Sequence, residues 1–199
     1  MTFFIHYSRN PHQLVIASVL FCLVYSEPSH SSEDIHQMEI KILKQRLKNA
    51  EDKITELGLE LPPPPQPAGS YTRAVRTGNL IFVAGQLPLK EGKMEFTGKI
   101  GKNLSAEEGY EASKLCALNA LSILKAEVET LENIVRLVRL TGFVCSADGF
   151  TDQPQVVNGA SELFAEVLGE RGVHARLTIG CYELPLGAAV ELEVIAEVR

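Results

Sequence analysis

The C-terminal stretch from His174 to Arg199 limits what this chain can become more than any other part of it. Val190, Leu192, Val194, Ala196 and Val198 alternate with Glu191, Glu193, Ile195 and Glu197, a period of two that specifies a strand with one apolar and one mostly acidic face. Ala175, Leu177, Ile179 and Cys181 alternate with Arg176, Thr178 and Gly180 in the same way. Between the two runs, Pro185 and Gly187 break the ladder and permit a turn, which predicts an antiparallel hairpin with Arg176 and Glu191 on neighbouring strands. Folding it about Pro185 sets Glu191 opposite a residue near Gly180, about 13 Å along the strand from Arg176. Long side chains and substrate, or two different subunits, have to bridge that gap.

Upstream, the pattern supplies the rest of a sheet and its cover. Thr72–Arg76 and Leu80–Gln86 read as strands joined across Thr77, Gly78 and Asn79. Gly85, at the end of the second, lets a ligand approach the backbone. Pro88 to Lys102 reads as a loop with a short strand near Met94–Phe96. Its Gly92–Lys99 segment is one residue too long for a phosphate loop, and Ile100 stands where the Ser or Thr belongs. Ser105 with Glu108 forms a capping box that starts a long helix, with Leu115, Leu118, Leu121, Ile123 and Leu124 toward the core. Ile134–Cys145 reads as a long strand and Gln155–Leu168 as a second helix, released by Gly169 and Gly172. The order predicts an α+β fold, a sheet with two helices on one face. The other face, left without helices, predicts self-association.

The N-terminal third differs in kind. Residues 1–32 include an apolar run, Leu14 to Tyr25, short for a membrane span and of a length suited to a targeting peptide, with a disordered N-terminus as the alternative. Residues 33–58 read as an amphipathic helix with Ile40, Leu43, Leu47, Ile54 and Leu57 on one stripe, stopped by Gly58. Residues 59–70 form a proline-rich connector, and the folded domain is expected over 71–199. With 199 residues and a formal charge of −6, the chain suits one domain plus an extension and lacks the balance of a phosphate-backbone binder. The cysteines Cys22, Cys116, Cys145 and Cys181 are widely spaced, which favours free thiols in a reducing, cytoplasmic setting over disulfides or zinc. An organelle or the secretory route, through residues 1–26, is the alternative.

Several short motifs, taken in order, resemble a known family. The run AGSYTRAVRTGNLIFVAGQLPL, the pair Asn158-Gly159, the triplet HAR at 174–176 and the closing LPLGAAVELEVIAEV look like the RidA/YjgF family of reactive intermediate deaminases. The resemblance covers Gly69 to Arg199 and lies nearest a branch labelled endoribonuclease L-PSP or chorismate mutase-like. It implies a chorismate mutase-like (β-α-β)2 sandwich that assembles as a homotrimeric barrel with substrate clefts between subunits. It also implies hydrolysis of small 2-imino or enamine acids to 2-oxo acids and ammonia. By the same resemblance Arg176 is the substrate arginine, Glu191 the water-positioning glutamate, Tyr71 and Gly85 pocket residues and Asn158 the asparagine of the second helix. Thr178 stands where familiar members carry cysteine, and Ser161 where they carry a ring.

The chemistry suits those assignments. A planar guanidinium grips a carboxylate through two parallel charge-assisted hydrogen bonds, which is the task given to Arg176. An imine carbon is already electrophilic, so a carboxylate such as Glu191 has only to orient and deprotonate a water. Neither metal nor organic cofactor is needed. A main-chain carbonyl near Thr178 can hold the imine nitrogen, and Tyr71 can close the pocket or pass a proton. Plainer readings stand beside these: a solvated strand arginine, a rim-packed Tyr71, a bulge at Gly85, a helix-end hydrogen bond at Asn158, and His174 as structural as it is functional. The functions in competition are a deaminase, a small-molecule-binding or chaperone-like trimer without turnover, and an endoribonuclease. The acidic balance counts against the last of these, as does the lack of a basic stripe or paired histidines.

Overall fold

The computed structural model describes residues 49–199 and, outside them, only residues 36 and 37. The targeting-like run and most of the 33–58 helix therefore lie outside the described residues. Residues 49–199 form one compact unit. Its first element is a short helix, α1 (Ala50–Glu56), whose N-cap Asn49 has extended backbone and shares a capping box with Asp52. Asn49 itself is not helical, because an N-cap residue takes non-helical backbone angles. Gly58, with φ of 68°, ends the element as its lack of a Cβ predicts.

Two carboxylates dock α1. Glu132 Oε1 accepts from the Ala50 N–H at 3.0 Å, and Glu51 Oε1 accepts from the Leu131 N–H at 3.0 Å. Each acid thereby satisfies an orphan donor at the start of the other's helical turn. Ala50 and Ile54 are buried in the same core as the sheet, upstream of Tyr71. Leu57, which caps α1, and Leu59 and Leu61 of the connector also pack against it.

The sheet elements are β1 (Ala74–Thr77), β2 (Leu80–Gln86), a small hairpin β3 (Leu89–Lys90) and β4 (Lys93–Met94), then β5 (Ile134–Cys145), β6 (Ala175–Cys181) and β7 (Val190–Val198). Between β4 and β5 runs α2 (Ala106–Val128), and between β5 and β6 runs α3 (Gln153–Leu168). The Ser105/Glu108 capping box is present at the start of α2. The main sheet has the order β1-β2-β7-β5-β6. The α+β architecture read from the sequence is the one observed, with α2 packed over β2 and β7 and α3 over β5 and β6.

One expectation fails. β6 and β7 do not form a hairpin: β6 pairs in parallel with β5, and β7 pairs antiparallel with β2 on one side and β5 on the other. The period of two fixes which residues share a face but not which strand lies alongside. A strand that returns through a helix pairs in parallel with its predecessor, which seats β6 against β5. The link from Tyr182 to Ala189 then carries the chain past β5 to its far side.

Candidate functional site

The topology separates residues that the sequence set side by side. Arg176 is level with Leu140 and Val194, both buried beneath the helices, so its side chain leaves the sheet on the helical face. Glu191 is level with Phe143 and Ile179, on the face without helices. With three residues along the strand and two strand spacings across, their Cα atoms lie about 14 Å apart. Two clusters result, on opposite faces.

The first cluster is built where the edge strand β6 meets α3. Arg176 Nη1 donates to Asn158 Oδ1 at 2.8 Å and to Ser161 Oγ at 3.1 Å. Three residues apart on a helix, Asn158 and Ser161 lie on one face, which is why both reach one guanidinium nitrogen. Asn158 is oriented in turn by donating from Nδ2 to Gln155 Oε1 at 3.0 Å. Ser161 Oγ lies 3.1 Å from His174 Nε2, and His174 Nδ1 lies 2.6 Å from the carbonyl of Gly172. The imidazole stands edge-on to Phe164, with ring centroids 5.8 Å apart. Burial pushes its pKa below 6.5, and the charge of Arg176 adds to that depression. The Nε and Nη2 groups of Arg176 carry no hydrogen bond among the described residues, so one edge of the fork is anchored and the other faces outward.

Thr178 lies two residues further along the same face, and its buried Oγ1 has no partner among the described residues. Because β6 is the edge of the sheet, alternate backbone N–H and C=O groups point away from β5 and are open to a ligand or another chain.

The second cluster is tighter. The β2–β7 ladder shifts register between Val83 and Gln86, leaving Ala84 and Gly85 in a bulge. The Glu191 carboxylate lies so close over Gly85 that a Cβ there would collide with its Oε1. Burial raises the pKa of Glu191 above 4.5, and its carboxylate has no hydrogen-bond partner among the described residues. The thiol of Cys116, beneath the sheet in α2, is pushed up by full burial and further by the Glu191 charge. Cys145 and Cys181, paired across β5 and β6, are also free thiols, the second pushed up to about 11 by burial.

Of the residues singled out in the sequence, Arg176 and Asn158 come together, and so do Gly85 and Glu191. Tyr71 joins neither pair. It is exposed, its ring lies against Gly69, and its hydroxyl accepts from the Ala68 N–H at 3.2 Å. The open face carries Val75, Phe82, Leu177 and Ile179 as exposed apolar side chains, the uncovered surface that the pattern foretold.

Comparison with known proteins agrees with this fold. The model of the family described as "YjgF/chorismate_mutase-like, putative endoribonuclease" matches residues 51–198. The protein TCP17 of Trypanosoma cruzi is 40% identical over 147 residues, covering 73% of this chain and 92% of that protein. A 2-iminobutanoate/2-iminopropanoate deaminase of Dermatophagoides farinae is 29% identical over 142 residues, covering 71% and 95%. The crystal structure of Atu1372 from Agrobacterium tumefaciens, a protein of unknown function, superposes with a TM-score of 0.71 at 41% identity, over 75% of this chain and 92% of that one. The chain is a member of the YjgF/chorismate mutase-like family, also called RidA/YjgF.

Proposed function

We propose that this protein hydrolyses small 2-imino or enamine acids to 2-oxo acids and ammonia. The observation that carries the reading is the half-anchored guanidinium of Arg176: Asn158 and Ser161 hold Nη1, while Nε and Nη2 face outward with the spacing a carboxylate accepts. The deaminase of Dermatophagoides farinae lends support from a related chain.

In this reading a water oxygen attacks the protonated imine carbon, and the C=N electron pair moves to nitrogen. Glu191 takes the water's proton, its raised pKa making it a better base than an ordinary carboxylate. Glu191 passes that proton to the amine nitrogen and takes the hydroxyl proton as the carbinolamine collapses, which forms the C=O bond and releases ammonia. A carbonyl of the β6 edge beside Thr178 steadies the nitrogen, and Tyr71 closes the pocket from another copy.

Since Arg176 and Glu191 leave opposite faces of one sheet, a site using both takes its walls from two copies of the chain. The exposed apolar residues of the open face give those copies a surface to bury, and a homotrimeric barrel satisfies both needs. The free thiols Cys116, Cys145 and Cys181 fit a reducing compartment such as the cytoplasm. Among the described residues, no helix is long and apolar enough to cross a membrane.

The test is ammonia release from 2-iminopropanoate generated in situ, compared between the wild type and Arg176→Ala. Release above the spontaneous rate that disappears in the variant is the expected result. Tight binding of a 2-oxo acid with no acceleration would replace the deaminase by a ligand-binding trimer. The endoribonuclease reading draws on the family's description, and the formal charge of −6 counts against it.

A further inference from the structure

The hydrogen bonds around Arg176 continue beyond the residues that the family resemblance singles out. A carbonyl oxygen cannot donate, so the 2.6 Å contact between His174 Nδ1 and the Gly172 carbonyl fixes the proton on Nδ1. With Nδ1 carrying the proton and the ring neutral, Nε2 is a bare acceptor. The only hydrogen atom available to it across 3.1 Å is the hydroxyl hydrogen of Ser161. That rotation turns a lone pair of Ser161 Oγ toward Arg176 Nη1, which donates to it at 3.1 Å. Each member of the chain thus determines the direction of the next.

We infer that His174 and Ser161 are positioning residues, a relay from the Gly172 carbonyl to Arg176 that selects the guanidinium rotamer whose Nε/Nη2 edge is presented to the substrate carboxylate. The inference rests on the reading of Arg176 as the carboxylate anchor. Neither residue touches substrate in this arrangement. Phe164 fixes the imidazole from its edge, and the half-buried ring resists protonation, which keeps Nε2 an acceptor. Asn158 holds the same nitrogen independently, so losing the relay loosens the fork without releasing it. Ser161 takes the place of a ring in familiar relatives. The small hydroxyl leaves room beside the anchor and supplies its restraint through a hydrogen bond.

The experiment measures Kd for pyruvate and for pyruvamide, which lacks the carboxylate charge, by titration calorimetry on the full-length protein. Arg176→Ala, Ser161→Ala, His174→Asn and His174→Gln are compared with wild type, each after a thermal melt. An asparagine amide reproduces the Nδ1 donor alone, whereas a glutamine amide reaches the Nε2 position and offers an oxygen there. The expected result is a loss of about 100-fold for pyruvate in Arg176→Ala, from the lost charge-assisted pair. Ser161→Ala and His174→Asn should each lose about fivefold, the worth of one hydrogen bond. His174→Gln should stay within about twofold of wild type, and pyruvamide binding should be the same in all four variants. If Arg176→Ala binds pyruvate as well as wild type does, or wild type binds none, the anchor itself is wrong. If Arg176→Ala loses affinity while Ser161→Ala and His174→Asn keep it, the anchor stands and the relay falls. Equal losses for pyruvate and pyruvamide, or a glutamine variant as weak as the asparagine one, overturn the relay in favour of a packing role.

Discussion

The two clusters differ in how complete they are within one protomer. Around Arg176, hydrogen-bonded side chains run from Gln155 through Asn158 to the guanidinium and on through Ser161 to His174. Around Glu191 the carboxylate presses on a glycine, is desolvated, and finds no hydrogen-bond partner among the described residues. The cation is preorganised and the base is held ready without one. In the proposed reaction, substrate binding is built inside the protomer while water activation waits for whatever covers the open face.

The largest effect that tests this contrast is a split between the two residues. Arg176→Ala should lower kcat/KM for the in situ imine by about 10³-fold, since both charge-assisted contacts to the carboxylate go. Glu191→Gln should lower kcat by about 10²-fold with KM changed less than about twofold, the loss of a general base. If both variants lose through KM alone, the division into anchor and base collapses.

Mixing the two inactive variants sharpens the comparison further. If Arg176 and Glu191 of one site come from different copies, random reassembly of Arg176→Ala with Glu191→Gln restores about one quarter of the sites in a trimer. Activity that stays at the level of the separate variants after subunit exchange would place both residues of a site in one chain. A smaller effect is expected at Gly85→Ala, where the new Cβ pushes the Glu191 carboxylate aside. Because the group that moves is the free end of a half-exposed side chain, it should cost less than about 1 kcal/mol of stability and lower kcat by less than Glu191→Gln does.

The smallest effects are in the pH dependence of stability, and they have opposite signs in the two clusters. His174 has a folded pKa below 6.5, so between that value and 6.5 the unfolded chain binds the proton more readily. Its contribution is full above about pH 6.5 and is lost as the pH falls through the folded value. Glu191 is raised above 4.5, so its contribution is full below that value and is lost as the pH rises through the folded one. Melts between pH 7 and 5 should show His174→Gln removing a fall in Tm and Glu191→Gln removing a gain. Parallel curves for all three proteins would mean that neither environment perturbs its group.

Much of the fold could be read in the chain because its signals are local. The limits of β5, the capping box at Ser105 and the stop at Gly58 are each dictated within a few residues. The pairing of β7 was not legible, because its partners on β2 and β5 are settled by competition among strands far apart in sequence. That single error decided the geometry of the site. It put Arg176 and Glu191 on adjoining strands, when β5 lies between them and they leave opposite faces. Asn158 is marked by its motif, whereas Ser161 shows in the sequence only as a missing ring. His174 stands beside Arg176 in the sequence, but its partner Ser161 is reached only through the packing of α3 against β6, which no spacing in the sequence records.

The placement of β7 also has a consequence for how the protein is made. The nine residues of β7, made after every other strand of the sheet, fill the slot between β2 and β5. Everything translated earlier must wait as two unjoined halves, each with a naked inner border able to capture a foreign strand. The halves can be sewn together only once Val190–Val198 has been made. A product cut short before Val190 is therefore prone to clumping rather than a slightly shortened version of the protein.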